Sequence, residues 1–401
     1  MERIIFHIDV NNAFLSWTAI DLLRKGYKTD IRNIVAVIGG DESRRSGIVV
    51  AKSTPAKKLG IVTAETLYSA RKKAPNVQVF PPDYHFYLEM SNKLFNLLKN
   101  YSPDIEVASV DECYLDYGKV KKLYGDEVEF AYKLKDQIYN ELGFTVNIGI
   151  ANNKLCAKMA SDFQKPNKVH TLYSYQVKEK MWPLPVGELF GIGKMSVPKL
   201  NQIGINTIGD LANYDSNKLY KYFKNQAIWM INSANGIDNS PVVHWDVDPK
   251  GISHETTLRY DLSDKKELEK ILLALCENVS IKLRKQKKYT NVVAVIIKDQ
   301  EFKKRTHQKK LVNATNITEE IYNEILNVFH EMWDNEPVRL IGVRLDNLSD
   351  NANHQVSLFD NLETREKNNE LDKVIDNLKD KYGNKIIKKA SLNENKIERH
   401  Y

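Results

Sequence analysis

Two runs of strand-forming residues in this chain carry acids where a strand should be apolar, and they limit its possible folds more than any other feature. The first is Ile4-Ile5-Phe6-His7-Ile8-Asp9; the second runs from Ile105 to Val110, meets Asp111-Glu112, and continues through Cys113 to Asp116. A carboxylate is costly to bury without a partner, so these acids belong at a strand end or a hairpin kink that water or a cation can reach. Placing the first strand and the acid-bearing hairpin in one sheet gathers Asp9, Asp111 and Glu112.

The flanking pattern supports such a sheet. Phe14, Trp17, Ile20, Leu22 and Leu23 fall at helical spacing between Ala13 and Lys25, ahead of Gly26, so the first strand feeds a helix. Val35 to Ile38 and Ile48 to Ala51 read as a short strand pair around the turn Gly39-Gly40-Asp41-Glu42-Ser43, followed by small helices at Ser53 to Leu59 and Leu67 to Lys73. A helix over Leu88 to Lys99 leads to the acid-bearing hairpin, and a helix over Glu127 to Leu142 with a strand over Thr145 to Ile150 completes an α+β domain. Trp182 to Asn235 is helical, with short Gly-containing turns. Pro241, Asp246, Asp248, Pro249 and Gly251 mark a linker. A second α+β unit then shows helices near Glu267 to Lys285 and Glu319 to Trp333, with strands at Asn291 to Ile297 and Val338 to Leu345. From Ser349 the chain is polar, with one amphipathic helix near Glu370 to Lys381.

At 401 residues the chain exceeds one ordinary domain. Its 42% apolar and 28% charged residues are those of a globular protein, and no apolar run nears the roughly 18 residues of a membrane span. The opening apolar stretch is too short for a signal segment. Cys113, Cys156 and Cys276 are odd in number and lack metal-ligand spacing, which fits a reducing cytoplasm. A net charge of +7 leans toward a polyanionic partner or a triphosphate.

Three acids at the ends of neighbouring strands suit a hard divalent ion such as Mg²⁺, which takes few carboxylates and completes its octahedron with water and phosphate oxygens. The residues around them carry a resemblance. Phe6 to Phe14 (FHIDVNNAF), Ala108 to Asp116 (ASVDECYLD), Asn147 to Lys158 (NIGIANNKLCAK) and Ala160 to Asn167 (ASDFQKPN) match, in order and spacing, motifs of the bacterial Y-family translesion DNA polymerases, and the chain resembles that family over roughly its first 350 residues.

The resemblance implies an α+β multidomain right hand: palm at 1–20 and 80–172, fingers at 21–79, a helical thumb with a helix-hairpin-helix at 173–238, a linker at 239–250, an α+β little finger at 251–349, and a tail at 350–401. It implies low-fidelity, template-directed synthesis across damaged DNA, from dNTPs onto a primer 3′-OH, without proofreading. Asp9, Asp111 and Glu112 match the family's metal-binding carboxylates and the Val10 carbonyl its backbone ligand, for two Mg²⁺ ions. Phe14 falls on the aromatic steric gate that collides with a ribose 2′-OH, and Lys165 on the triphosphate lysine. The fingers depart from the pattern: Thr54 and Lys57 stand where many relatives carry Tyr and Arg, and Lys lacks the bidentate fork of Arg.

Leu189-Phe190-Gly191-Ile192-Gly193-Lys194 resembles a helix-hairpin-helix turn, with Gly191, Gly193 and Lys194 as candidate contacts to a DNA phosphate. Between Lys282 and Lys310 stand eleven Lys or Arg against Asp299 and Glu301. That run, with Arg284, Arg339 and Arg344 as candidate DNA contacts, suits a duplex backbone or a solvated charged face. Gln355, Ser357, Leu358 and Phe359 resemble the peptide by which bacterial polymerases hold the sliding clamp. The expected partners are primer-template DNA, dNTPs and that clamp, for a monomer without membrane attachment.

Two other readings compete. Gly39-Gly40-Asp41-Glu42-Ser43 lies one residue from the diguanylate-cyclase signature, but a cyclase leaves Asp111-Glu112 and the basic second module unexplained. A non-catalytic DNA-binding relative would have lost its carboxylates, and all three are present.

Overall fold

The computed structural model of the protein describes residues 3–243, 249–351, 362–383, 386, 387, 389 and 390. Backbone packing divides the chain into two units, Met1–Gly40 with Ile48–Val247, and Asp41–Gly47 with Asp248–Tyr401.

The first unit is organised around β1 (Ile5–Val10), a strand buried along its whole length. Asn12, left-handed at φ 48°, turns the chain from β1 into α1 (Ala13–Arg24); Asn adopts that conformation more readily than most residues. A small sheet follows, with β2 (Ala36–Gly39) between β3 (Val49–Lys52) and, beyond α2 (Thr54–Lys58) and α3 (Leu67–Lys73), β4 (Gln78–Phe80). Next come α4 (Tyr84–Lys99), β5 (Ile105–Val107), β6 (Glu112–Asp116), α5 (Lys121–Tyr124), α6 (Glu127–Leu142), β7 (Val146–Ala151), α7 (Lys154–Asp162) and β8 (Val169–Thr171). The large sheet has the order β5-β6-β1-β7-β8, so β1 sits at its centre, antiparallel to both neighbours.

Strand alternation then sorts apolar from polar residues. Phe6, Ile8 and Val10 of β1, Cys113 and Leu115 of β6, and Val146, Ile148 and Ile150 of β7 face a core shared with α1, α4 and α6. The alternate positions, His7 and Asp9, Glu112 and Tyr114, Asn147 and Gly149, occupy the opposite face, where α7 lies. A Cβ on Gly149 would stand 2.0 Å from the Ala157 carbonyl oxygen and 2.5 Å from the Ser161 nitrogen; the helix backbone therefore rests directly on β7. Beyond α7, Cys156, Ala157, Met159 and Ala160 join a core with the short helices α8 (Val197–Gln202), α9 (Ile208–Ala212), α10 (Ser216–Phe223) and α11 (Gln226–Ala234).

The second unit contains β9 (Gly251–Leu262), α12 (Lys265–Lys285), β10 (Tyr289–Asp299), β11 (Lys304–Thr315), α13 (Thr318–Met332), β12 (Val338–Ser349) and α14 (Leu362–Tyr382). Its sheet runs β11-β10-β12-β9, all antiparallel. Val293, Val295, Ile297, Ile341, Val343 and Leu345 pack against α12 and α13.

The expected helices and strands form, with shifted ends: α4 begins at Tyr84, capped by Asp83, rather than at Leu88, and β5 stops at Val107 rather than Val110. Two long strands, β9 and β11, were not foreseen. The sequence of β11, KRTHQKKLVNAT, is rich in charge because it is an edge strand whose cations have partners. No described helix is long and apolar enough to cross a membrane.

Gly149→Ala should lower the free energy of unfolding by about 2 to 3 kcal/mol, the cost of overpacking a closed site. Gly193→Ala, where an added Cβ meets nothing within 4 Å, should change it by less than about 0.5 kcal/mol; chemical denaturation of the full chain checks both. All three cysteines are buried and free, and burial pushes the Cys156 thiol up to about 12. A thiol-specific reagent at pH 8 should find none of them in the native protein and all three after denaturation.

Candidate active site

The polar face of the first sheet converges on one ammonium. Asp9 and Glu112 are cross-strand neighbours in the β1–β6 register, and α7 delivers Lys158 between them, its Nζ 2.9 Å from Glu112 Oε1 and 3.5 Å from Asp9 Oδ2. Lys165, beyond the end of α7, donates to Asp9 Oδ1 at 2.8 Å and pairs with Asp162 at 2.9 Å. Burial raises Asp9 to about 6 against the opposing pull of both lysines. Glu112 is held well below the usual carboxylate range, chiefly through its contact with His7 and then through Lys158. Burial alone would lower both lysines, but their carboxylate partners outweigh it and shift them upward.

Asp111 occupies the end of the same strand pair. Its backbone carbonyl accepts from the Val10 N–H at 3.0 Å, while its carboxylate accepts from the Ser109 hydroxyl at 2.6 Å. Of the three acids expected to gather, Asp9 and Glu112 share a cation, while the Asp111 carboxylate is bound to Ser109. Among the described residues no group of three or more His, Cys, Asp or Glu forms a ready-made metal cage. The donor chemistry still fits a hard divalent ion: these are carboxylate oxygens, and two already converge on a cation.

The loop carrying Lys165 is fixed by buried amides. Asn147 donates to the carbonyls of Ser161 and Gln164 at 2.9 and 2.7 Å, and its oxygen accepts from Asn11 at 3.1 Å. Asn11 in turn accepts from the Asn167 N–H at 2.8 Å. Phe14, half-buried at the start of α1, stacks on Tyr87 with ring centroids 4.6 Å apart and meets Tyr84 edge-on at 6.0 Å. Thr54 and Lys57 lie exposed on α2. Beside them Lys52, held low by burial and by repulsion from Lys57, donates to the Thr63 hydroxyl at 2.9 Å.

Lys158, Lys52, His7 and Asn147 were not singled out from the sequence. Lys158 lies inside a quoted motif, and its role depends on α7 packing against β7, which no local pattern announces.

Gly191 has φ +92°, and a Cβ there would stand 2.3 Å from the Trp229 ring, so both conformation and space require glycine. Gly193 and Lys194 are exposed just before α8. The second unit corrects the reading of one arginine. Arg284 lies nearly buried in ion pairs with Asp372 at 3.0 Å and Asp376 at 2.6 Å on α14, so it ties down the C-terminal helix instead of facing a duplex. Arg339 lies over the Phe302 ring at 4.5 Å, and Arg344 pairs with Asp346 at 2.6 Å. Gln355, Ser357, Leu358 and Phe359 lie outside the described residues.

Comparison with known proteins gives the family of the chain. Residues 8–162 match the model of the impB/mucB/samB family, and residues 249–358 match that of the family's C-terminal domain. The chain is 50% identical over 395 residues to the DNA polymerase IV of Clostridium acetobutylicum, covering 98% of this chain and 99% of that one. It is 34% identical over 402 residues to DNA polymerase IV 2 of Bacillus subtilis, covering 98% and 95%. A solved Y-family DNA polymerase chimera, Dbh-Dpo4(243-245)-Dbh, superposes with a TM-score of 0.75 at 26% identity, covering 87% of this chain and all of that one. The fold is thus that of a template-directed nucleotidyltransferase. The chain belongs to the impB/mucB/samB family, the Y-family DNA polymerases.

Lys158→Met should destabilise the protein by about 3 kcal/mol, because it takes the cation from Glu112 and leaves Asp9 with Lys165 alone. The double variant Lys158→Met/Glu112→Gln should recover part of that loss in denaturant unfolding, since the charge that lost its cation is gone.

Proposed function

We propose that the protein is a DNA-directed DNA polymerase that copies damaged templates, extending a primer 3′-OH with dNTPs and releasing pyrophosphate. The observation that carries this reading is the pairing of Asp9 with Glu112 around Lys158, on a chain alignable from end to end with relatives named DNA polymerase IV. Asp9, Asp111, Glu112 and the Val10 carbonyl would hold two Mg²⁺ ions. Such ions lower the pKa of an attacking hydroxyl and stabilise a leaving pyrophosphate.

The protein's own groups do the rest. Lys165 exchanges Asp9 for the negative oxygens of a bound triphosphate, with Thr54, Lys57 and Lys52 offering a hydroxyl and two ammoniums from the fingers. Burial, and then repulsion from Lys57, lowers Lys52, and an anion placed beside the two would relieve that repulsion. The Phe14 ring, braced by Tyr87, takes the space a ribose 2′-OH would need. Gly193 leaves the backbone open for a phosphate beside Lys194. In the second unit, Lys304, Gln308, Lys310 and Arg344 share the sheet face opposite α12 and α13, and Ala294 and Gly342 keep that face low. This surface suits a sequence-independent backbone contact. The tail peptide Gln355 to Phe359 is the proposed clamp anchor. Three free thiols fit a reducing cytoplasm, and the working form is a monomer.

Purified protein with Mg²⁺ and dNTPs should extend a primed template past an abasic site, and Asp111→Ala should reduce the rate at least about a hundredfold. Template-independent synthesis, or equal rates for the two proteins, would contradict the proposal. Phe14→Ala should raise ribonucleotide incorporation by about a hundredfold or more while leaving deoxynucleotide incorporation within tenfold. Single-nucleotide kinetics with matched dNTP and rNTP pairs measure that ratio.

A further inference from the structure

His7 lies under the site and none of the roles above uses it. Its ring is fully buried in the centre of β1, with Nδ1 2.8 Å from the Ser161 hydroxyl and Nε2 3.4 Å from Glu112 Oε2. The Tyr114 ring closes one side, its centroid 4.8 Å away. As a neutral imidazole the ring has one proton and two positions for it. With the proton on Nδ1, Ser161 accepts it and passes its own to the Lys158 carbonyl, 2.8 Å away. The Nε2 lone pair then points at a carboxylate oxygen, and Nε2 is a buried nitrogen with no hydrogen-bond partner in the described geometry. With the proton on Nε2, Ser161 turns its hydroxyl to Nδ1 and a few tenths of an ångström of approach completes an N–H···O bond to Glu112. The Lys158 carbonyl remains served by the ladder of α7. Only this second arrangement satisfies every buried group.

We propose that His7, protonated on Nε2 and fixed by Ser161, is a positioning residue: it grips Glu112 Oε2 from inside the sheet while Lys158 grips Oε1, and so sets the plane of that carboxylate. The proposal rests on the reading of Glu112 as part of the nucleotidyl-transfer centre. A carboxylate with one bond from a rigid ring and one from a mobile ammonium keeps its orientation when the ammonium leaves. A partner of this kind typically changes ligand affinity or rate by ten- to a hundredfold.

The test has two independent arms. Nitrogen-15 NMR of histidine-labelled protein, with the His7 signal identified by its loss in His7→Gln, reads the tautomer directly and needs no activity. The Nε2–H form is expected; the Nδ1–H form overturns the proposal even if the protein is an active polymerase. In the kinetic arm, His7→Phe should lower kcat about tenfold with KM for dNTP and Kd for DNA within twofold. It should also weaken Mn²⁺ binding, read by electron paramagnetic resonance on the full chain with primer-template. His7→Gln, whose amide can donate to Glu112, should recover most of both losses. Equal behaviour of the Phe and Gln variants, or a wild-type kcat for His7→Phe, overturns the proposal. Should His7→Phe fail to fold by circular dichroism, Ser161→Ala takes its place: it keeps the ring and frees Nδ1, and a several-fold loss of kcat at unchanged KM is expected. Absence of synthesis by the wild type would contradict the polymerase reading while leaving the tautomer result standing.

Discussion

The direct contact of a helix backbone with a strand, allowed at Gly149, is the constraint on which the rest of the site depends. A side chain there would lift α7 off β7, and Lys158 would no longer reach between Asp9 and Glu112. The same contact brings Ser161 to His7 and lets Asn147 hold the carbonyls of Ser161 and Gln164, which fixes the base of the Lys165 loop. One missing Cβ thus sets the height of two lysines and the environment of two carboxylates. Elementary electrostatics supports the arrangement: inward carboxylates are tolerated when a cation and hydrogen bonds meet them, and each acid here has both or an equivalent.

The second unit uses charge differently. Its basic run does not form one continuous cationic stripe. Arg305, His307 and Lys309, on alternate positions of β11, turn to the helix side and meet Asp334, Glu331 and Glu324. Lys304 pairs with Glu255 on β9. Arg284 and Lys285 hold α14 through Asp372, Asp376 and Asp380. Period-two alternation therefore divides a single charged segment into residues that bind the unit together and residues, such as Lys310, that remain on the sheet's uncovered face.

Much of this was legible in the sequence. That β1 and the acid-bearing strand share a sheet was legible because acids in strand-forming runs have few tolerable positions; the Asp9–Glu112 register was not. The amphipathic α6, α12 and α13 were legible because their apolar residues recur at helical spacing over three or more turns. The missed elements share a physical reason. β11 conceals its strand character behind long cations whose partners are distant in sequence, and α7, nine residues long, is too short for its apolar residues to recur over three turns. Arg284 was read as a nucleic-acid contact because its neighbours are basic; the acids that claim it lie 88 and 92 positions further on. Charge is visible in a sequence, but the partner that neutralises it often is not.

The central claim is that the face of β1, β6 and α7 around Lys158 is the catalytic centre. A crystal structure of the protein with primer-template, Mg²⁺ and a non-hydrolysable dNTP analogue tests it most directly. The account predicts divalent-ion density bounded by Asp9, Asp111 and Glu112, with Lys165 moved from Asp9 to the triphosphate and the sugar seated over Phe14. Nucleotide bound elsewhere, with Lys158 and Lys165 still paired to Asp9 and no ion at the carboxylates, would contradict it.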